Sequence, residues 1–162
     1  TLTLVGKNPP PVIRALASNP RIQVTGYVPD IRPYLARAAV SVSPIRYGVG
    51  VQNKVLEAMA MATPVVTTPQ ACGALAVRDR EHLLIAEGAD MLACQIERIL
   101  ADSALADSLG RSGRCYVETH HAWQATTGRL EQVYQRAIEA FWATRETQPV
   151  FRRLPESCES LA

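Results

Sequence analysis

The stretch from Ser43 to Thr68 constrains the fold of this chain more than any other. A short β-branched run, Val40–Ser43, leads into a loop with two glycines, Gly48 and Gly50. An apolar helical pattern follows, and Thr63-Pro64 hands the chain to a second β-branched run, Val65–Thr67. Strand, glycine loop, helix and strand in this order form the phosphate-cradling unit of parallel α/β proteins. Glycine lets the backbone come close to an anion, and the first N–H groups of a helix have no partner within the helix. At about 100° per residue, Val51, Val55, Ala58, Met59 and Ala62 share one broad apolar face, which Leu56 and Ala60 widen. Such a helix is expected to be buried.

Lys54 and Glu57 interrupt this apolar surface, and their spacing puts them on one side. That spacing allows an intrahelical ion pair. The place on the helix favours a second reading, in which Lys54 meets a phosphate beside the loop and Glu57 accepts hydroxyl protons from a sugar.

The pattern Gly48-x-Gly50-x-x-x-Lys54-x-x-Glu57-Ala58-Met59-Ala60, followed by Thr63-Pro64-Val65-Val66, resembles the donor-nucleotide motif of GT-B glycosyltransferases of the retaining family 4. That family includes the sugar transferases of exopolysaccharide systems. The resemblance implies that Glu57 holds the ribose hydroxyls of a nucleotide. It also implies that Arg46, Lys54 and the loop Gly48, Val49, Gly50 and Val51 hold the diphosphate. Many members carry two glutamates separated by seven residues, and the first would fall on Val49, so the chain departs from the pattern there. The loop with Arg46, Gly48 and Gly50 resembles a subgroup in which backbone and basic groups take over that position. Val24–Asp30 resembles the loop that brackets the nucleobase, which would set Tyr27 and Val28 against the base. A plain turn with Asp30 as helix N-cap fits the same residues.

The resemblance implies a Rossmann-like, doubly wound parallel sheet with a helical C-terminus. This would be the C-terminal half of a GT-B fold lacking its first strand, across residues 1–146, with a polar tail over 147–162. Leu2–Val5 matches the family's second strand. Without the first strand, that segment and Ala39–Ser43 either pair directly or leave a slot for Pro149–Arg152 or a neighbouring chain. The function implied is transfer of a sugar from a nucleoside-diphosphate sugar to a glycan or other acceptor, with no metal and no other cofactor. The acceptor domain lies outside this chain, so residues 1–162 alone are expected to be inactive. A cytoplasmic enzyme at the inner face of a membrane follows from the same resemblance.

Two other readings share the architecture. A nucleotide-sugar 2-epimerase would need the same donor site. A dinucleotide-binding domain would need a third glycine at position 53, where Asn53 stands, and an acid after the next strand, where Thr67–Gln70 has none.

Length and charge narrow the field. The 162 residues suffice for one domain with a core. A formal net charge of +2 gives no electrostatic case for nucleic acid. No apolar run approaches the ~20 residues that span a bilayer. The cysteines at 72, 94, 115 and 158 match no zinc spacing, and Cys94 and Cys115 read as small buried thiols.

Elsewhere the pattern predicts strands at Ile22–Tyr27 and His82–Ala86, and helices at Val12–Leu16 and Asp30–Ala38. Pro69–Leu75 reads as a loop. Helices are also predicted at Ala89–Ala101, Ser103–Thr119 and from Ala122 to about 143. In the first of these three, Met91, Leu92, Ile96, Ile99 and Leu100 share a face. Gly110 and Gly113 read as weak points in the second. Trp123 is expected to pack, and the pair His120-His121 lacks ligands at metal spacing.

Overall fold

The computed structural model describes residues 1–48 and 50–146. Val49, the expected tail at 147–162, the candidate strand Pro149–Arg152 and Cys158 lie outside these residues. The chain divides into two compact units, one over Thr1–Thr119 and a second from His120 onward.

In the first unit, β1 (Leu2–Val5) runs through α1 (Pro11–Ala15) and a turn of 3-10 helix to β2 (Ile22–Gly26). β1 and β2 pair in parallel, with Leu2 opposite Ile22 and Leu4 opposite Val24. Pro11 sits in the first turn of α1, where its missing N–H costs nothing. Next come α2 (Arg32–Arg37), β3 (Ser41–Ser43), α3 (Asn53–Ala60) and β4 (Val65–Thr67). A single helical turn, α4 (Pro69–Cys72), precedes β5 (Leu84–Ile85), α5 (Ala89–Ala101) and α6 (Ser103–His120). β3, β4 and β5 form a second parallel sheet with β4 in the middle.

β1 and β3 do not pair among the described residues, so one edge of each is left without a strand. Direct pairing of these two segments, one of the two expected arrangements, is therefore not what the chain adopts. Leu2 is correspondingly 48% exposed.

β4 is buried throughout, as a central parallel strand should be. Its alternation divides the core. Val65 joins a cluster with Val55, Ala58 and Met59 of α3, Leu83 and Tyr116. Val66 joins another with Leu84, Ile99 of α5 and Leu109 of α6. Helix α6 reaches this close because it carries glycines. A Cβ on Gly110 would stand 2.3 Å from the carbonyl oxygen of Ala62, and one on Gly113 would stand 3.0 Å from that of His82. The two glycines expected to weaken the helix are thus its points of contact.

Several local expectations are corrected. Ala62 lies beyond α3 in a left-handed conformation (φ 55°) instead of extending its apolar face. Pro69–Cys72 is helical, because Thr68 is extended and Pro69 is preset for a first helical turn. Cys94 and Cys115 are exposed, whereas Cys72 is buried. On α5 the inner line runs through Leu92, Ile96 and Ile99, which leaves Met91 and Leu100 more than half exposed. The strand expected from His82 starts only at Leu84, and the ring of His82, in the turn before it, packs 5.0 Å from that of Tyr116 and accepts the Arg78 backbone N–H at Nδ1 (3.0 Å).

The second unit consists, in its described part, almost wholly of α7 (Trp123–Glu146). Trp123, expected to pack, is 83% exposed, and Leu130, Tyr134 and Ile138 are at least half exposed. A single helix has no second layer of its own against which to bury them.

Candidate functional site

The loop between β3 and α3 begins at the carboxyl end of β3, where open parallel sheets hold their ligands. Its root is fastened by β4. The Thr67 hydroxyl donates to the carbonyl of Ser43 (3.1 Å), and the Thr68 hydroxyl donates to that of Ile45 (2.6 Å). Both threonines and Ser43 are buried. The β-branched run read only as a strand therefore also anchors the loop, a role that its composition does not signal. Thr68→Val would leave the Ile45 carbonyl without this donor. Chemical denaturation should show a loss of about 1–3 kcal/mol.

Beyond Ile45 the loop opens to solvent. Arg46, Tyr47, Gly48, Gly50 and Val51 are all exposed. Gly50 has a φ of 76°, a value that a side chain would strain. A Cβ on Gly48 would stand 3.0 Å from the Gln52 side-chain amide and 3.3 Å from Ile45. Helix α3 starts at Asn53 without a side-chain cap on its N-terminus. Its first bonded amides are those of Val55 and Leu56, both to the carbonyl of Gln52. Among the described residues the amides of Asn53 and Lys54 have no acceptor, at the end of the helix that favours negative charge.

Arg46, Lys54 and Glu57 are exposed, and among the described residues none of their side chains takes part in a hydrogen bond or ion pair. The intrahelical Lys54–Glu57 pair that the spacing allows is not formed.

Glu57 lines an open cavity of about 360 Å³ together with Ala60 and Met61. The rest of its lining includes the turn into α2, with Asp30, Ile31 and Arg32. Tyr27 (71% exposed) and the half-buried Val28 do not line this cavity, although residues just after them do. Asp30 shapes that turn. Its carboxylate accepts the Arg32 backbone N–H (2.9 Å) and clamps the guanidinium through Nε (2.9 and 3.1 Å) and Nη2 (2.9 Å). Hydrogen bonding to Arg32 holds the Asp30 carboxyl below the usual carboxylate range. The N-cap position of α2 falls on Ile31 and not on Asp30 as expected. Asp30 instead closes a turn onto the Arg32 N–H and adds a side-chain clamp that the sequence does not announce.

Residues 1–102 match the family described as glycosyl transferases group 1. This chain belongs to that family. Among curated relatives, a capsular polysaccharide biosynthesis glycosyltransferase, CapM of Staphylococcus aureus, is 31% identical over 127 residues. The match covers 76% of this chain and 33% of CapM. A D-inositol 3-phosphate glycosyltransferase of Salinispora arenicola is 32% identical over 114 residues, covering 69% of this chain and 25% of that protein. The chain therefore spans a third or less of the length of these relatives. Among solved structures, sucrose-phosphate synthase of Thermosynechococcus elongatus superposes with a TM-score of 0.73 at 29% identity, over 86% of this chain and 39% of that one. HepE of Anabaena, solved in complex with UDP, gives a TM-score of 0.71 at 16% identity, covering 83% of this chain and 41% of its own, a likeness of fold. The group 1 chain is thus α/β and Rossmann-like, with parallel sheets, flanking helices and a helical C-terminus. None of its described helices is long and apolar enough to cross a membrane.

Proposed function

We propose that this chain is the donor-binding half of a glycosyltransferase. The complete enzyme moves a sugar from a nucleoside-diphosphate sugar to a glycan or other acceptor, in the synthesis of surface polysaccharides or glycoconjugates. The observation that carries this reading is the unpartnered set Arg46, Lys54 and Glu57, gathered on one loop and one helix beside uncapped amides. Two cations and the N–H groups at the start of α3 suit a diphosphate, and a carboxylate one turn further along the helix suits vicinal hydroxyls. Group 1 membership and a similar fold solved with UDP support the same ligand class.

In this reading the donor is a substrate and no resident cofactor or metal is invoked. As the glycosidic bond breaks, negative charge gathers on the leaving diphosphate. Arg46, Lys54 and the loop amides stabilise that charge without having to reorganise, which is how preorganised donors lower a barrier. The acceptor meets the donor on a domain outside this chain, and the enzyme works in the cytoplasm at the inner face of a membrane.

Calorimetry with a panel of nucleoside diphosphates tests the reading. Glu57→Ala removes a charge-assisted pair of hydrogen bonds and is expected to weaken binding about tenfold or more. Its circular dichroism should stay unchanged, because Glu57 is exposed and its side chain bonds none of the described residues. Unchanged affinity would remove Glu57 from the site, and no binding by any nucleotide would overturn the function.

A further inference from the structure

Arg32 lines the same cavity as Glu57, and the function above gives it no role. Its guanidinium is exposed at the surface, and its orientation is set by one partner. Asp30 occupies the side formed by Nε and Nη2 with both carboxylate oxygens, and the Arg32 backbone N–H binds the same carboxylate. Pro33 follows within the first turn of α2 and fixes the local backbone further. The edge formed by Nη1 and the outer N–H of Nη2 is left over. This is a planar fork of donors, already oriented, at the rim of a cavity large enough for a nucleoside.

We propose that Arg32, held by Asp30, is a base-selecting residue and that the base it selects is guanine. The inference rests on the donor-site reading, in which Glu57 takes the ribose and the base enters the cavity that Glu57 and Arg32 share. A planar fork of two donors fits two adjacent acceptors in one plane. Guanine offers this pair at N7 and O6, and arginine is its commonest partner. Adenine places a donor beside its N7. Uracil separates its two carbonyls with an N–H. Cytosine's adjacent acceptors, O2 and N3, start beside the glycosidic bond, on the ribose side of the ring and away from the far edge that guanine offers. Asp30 already accepts from three N–H groups of Arg32, so it acts as a positioning residue and not as a reader.

The test is calorimetry of this chain with GDP, UDP, ADP and CDP, on the wild type and on Arg32→Ala, Arg32→Lys and Asp30→Asn. The wild type is expected to bind GDP about tenfold more tightly than the other three. Arg32→Ala should bring GDP down to their level and leave UDP and ADP nearly unchanged. Arg32→Lys should fail to restore the preference, because an ammonium is a point charge without a fork. Asp30→Asn should lose part of it. An equal loss across all four nucleotides would make Arg32 a phosphate contact and overturn the proposal. So would tightest binding of UDP, ADP or CDP, or GDP affinity that ignores Arg32. Binding that remains sensitive to Glu57→Ala in those cases keeps the donor-site reading. Absence of binding by every nucleotide removes both.

Discussion

Gly110→Ala should destabilise the first unit by about 3 kcal/mol or more, read as a lower denaturant midpoint with an unchanged slope. The sign is the informative part. Alanine favours a helix interior over glycine by roughly 1 kcal/mol, so helix propensity alone predicts stabilisation. Packing opposes this, because the added Cβ would stand 2.3 Å from the Ala62 carbonyl oxygen. That oxygen cannot easily retreat. Ala62 donates to the Met59 carbonyl (2.9 Å), and the next residue, buried Thr63, donates its N–H to Ala58 (3.0 Å) and its hydroxyl to Leu35 (2.9 Å). Ala62 is already left-handed, with little room for further adjustment. Overpacking against a fixed backbone costs typically 1–3 kcal/mol and sometimes more. Here no flexible side chain can give way. Gly113→Ala meets the His82 carbonyl at 3.0 Å and the mobile end of Met59, and should cost less. A Gly110→Ala chain that melts later than the wild type would show that α6 does not approach this turn.

The second large effect concerns binding. Replacing Arg46 and Lys54 together by alanine should reduce nucleoside-diphosphate affinity at least a hundredfold. Each cation can make a charge-assisted bond of about 1.5–3 kcal/mol. The two share one ligand, so their losses need not add. Stability should hold within about 0.5 kcal/mol, because both side chains are exposed and neither bonds any described residue. The wild type's affinity should also fall as salt is raised, and the double variant's much less. Undiminished affinity in the double variant would move the phosphate away from this loop.

The strand–loop–helix–strand unit around Lys54 was legible because periodicity and punctuation agree there. Val65-Val66 is β-branched after a proline, and Val55, Ala58 and Met59 repeat at helical spacing and are all buried. Group 1 membership was legible in the same residues. What escaped the sequence depends on partners far along the chain. Ala62 fits the helical face by spacing, but its left-handed turn is set by what Gly110 receives. The glycines of α6 look like flaws until the carbonyls they meet are known. On α5, five apolar residues suggested one face, and packing selected only Leu92, Ile96 and Ile99 of them. Within the site, Arg46, Lys54 and Glu57 could be picked out by type and spacing. The clamp of Asp30 on Arg32 could not, since an acid two residues before an arginine is commonplace and only the backbone turn brings them together.

The two strand edges left unpaired among the described residues have a practical consequence for anyone producing this chain. β1 reads Leu-Thr-Leu-Val and β3 reads Ser-Val-Ser, without a charge, a proline or a bulky guard on either. Edges meant to face water normally carry such gatekeepers, because a bare row of backbone donors and acceptors will accept any extended segment. In a concentrated sample the nearest extended segment belongs to another copy. Handling of the isolated chain is therefore governed by concentration as much as by temperature, and a lysine introduced at Thr3, which is already exposed, is the mildest way to quiet β1.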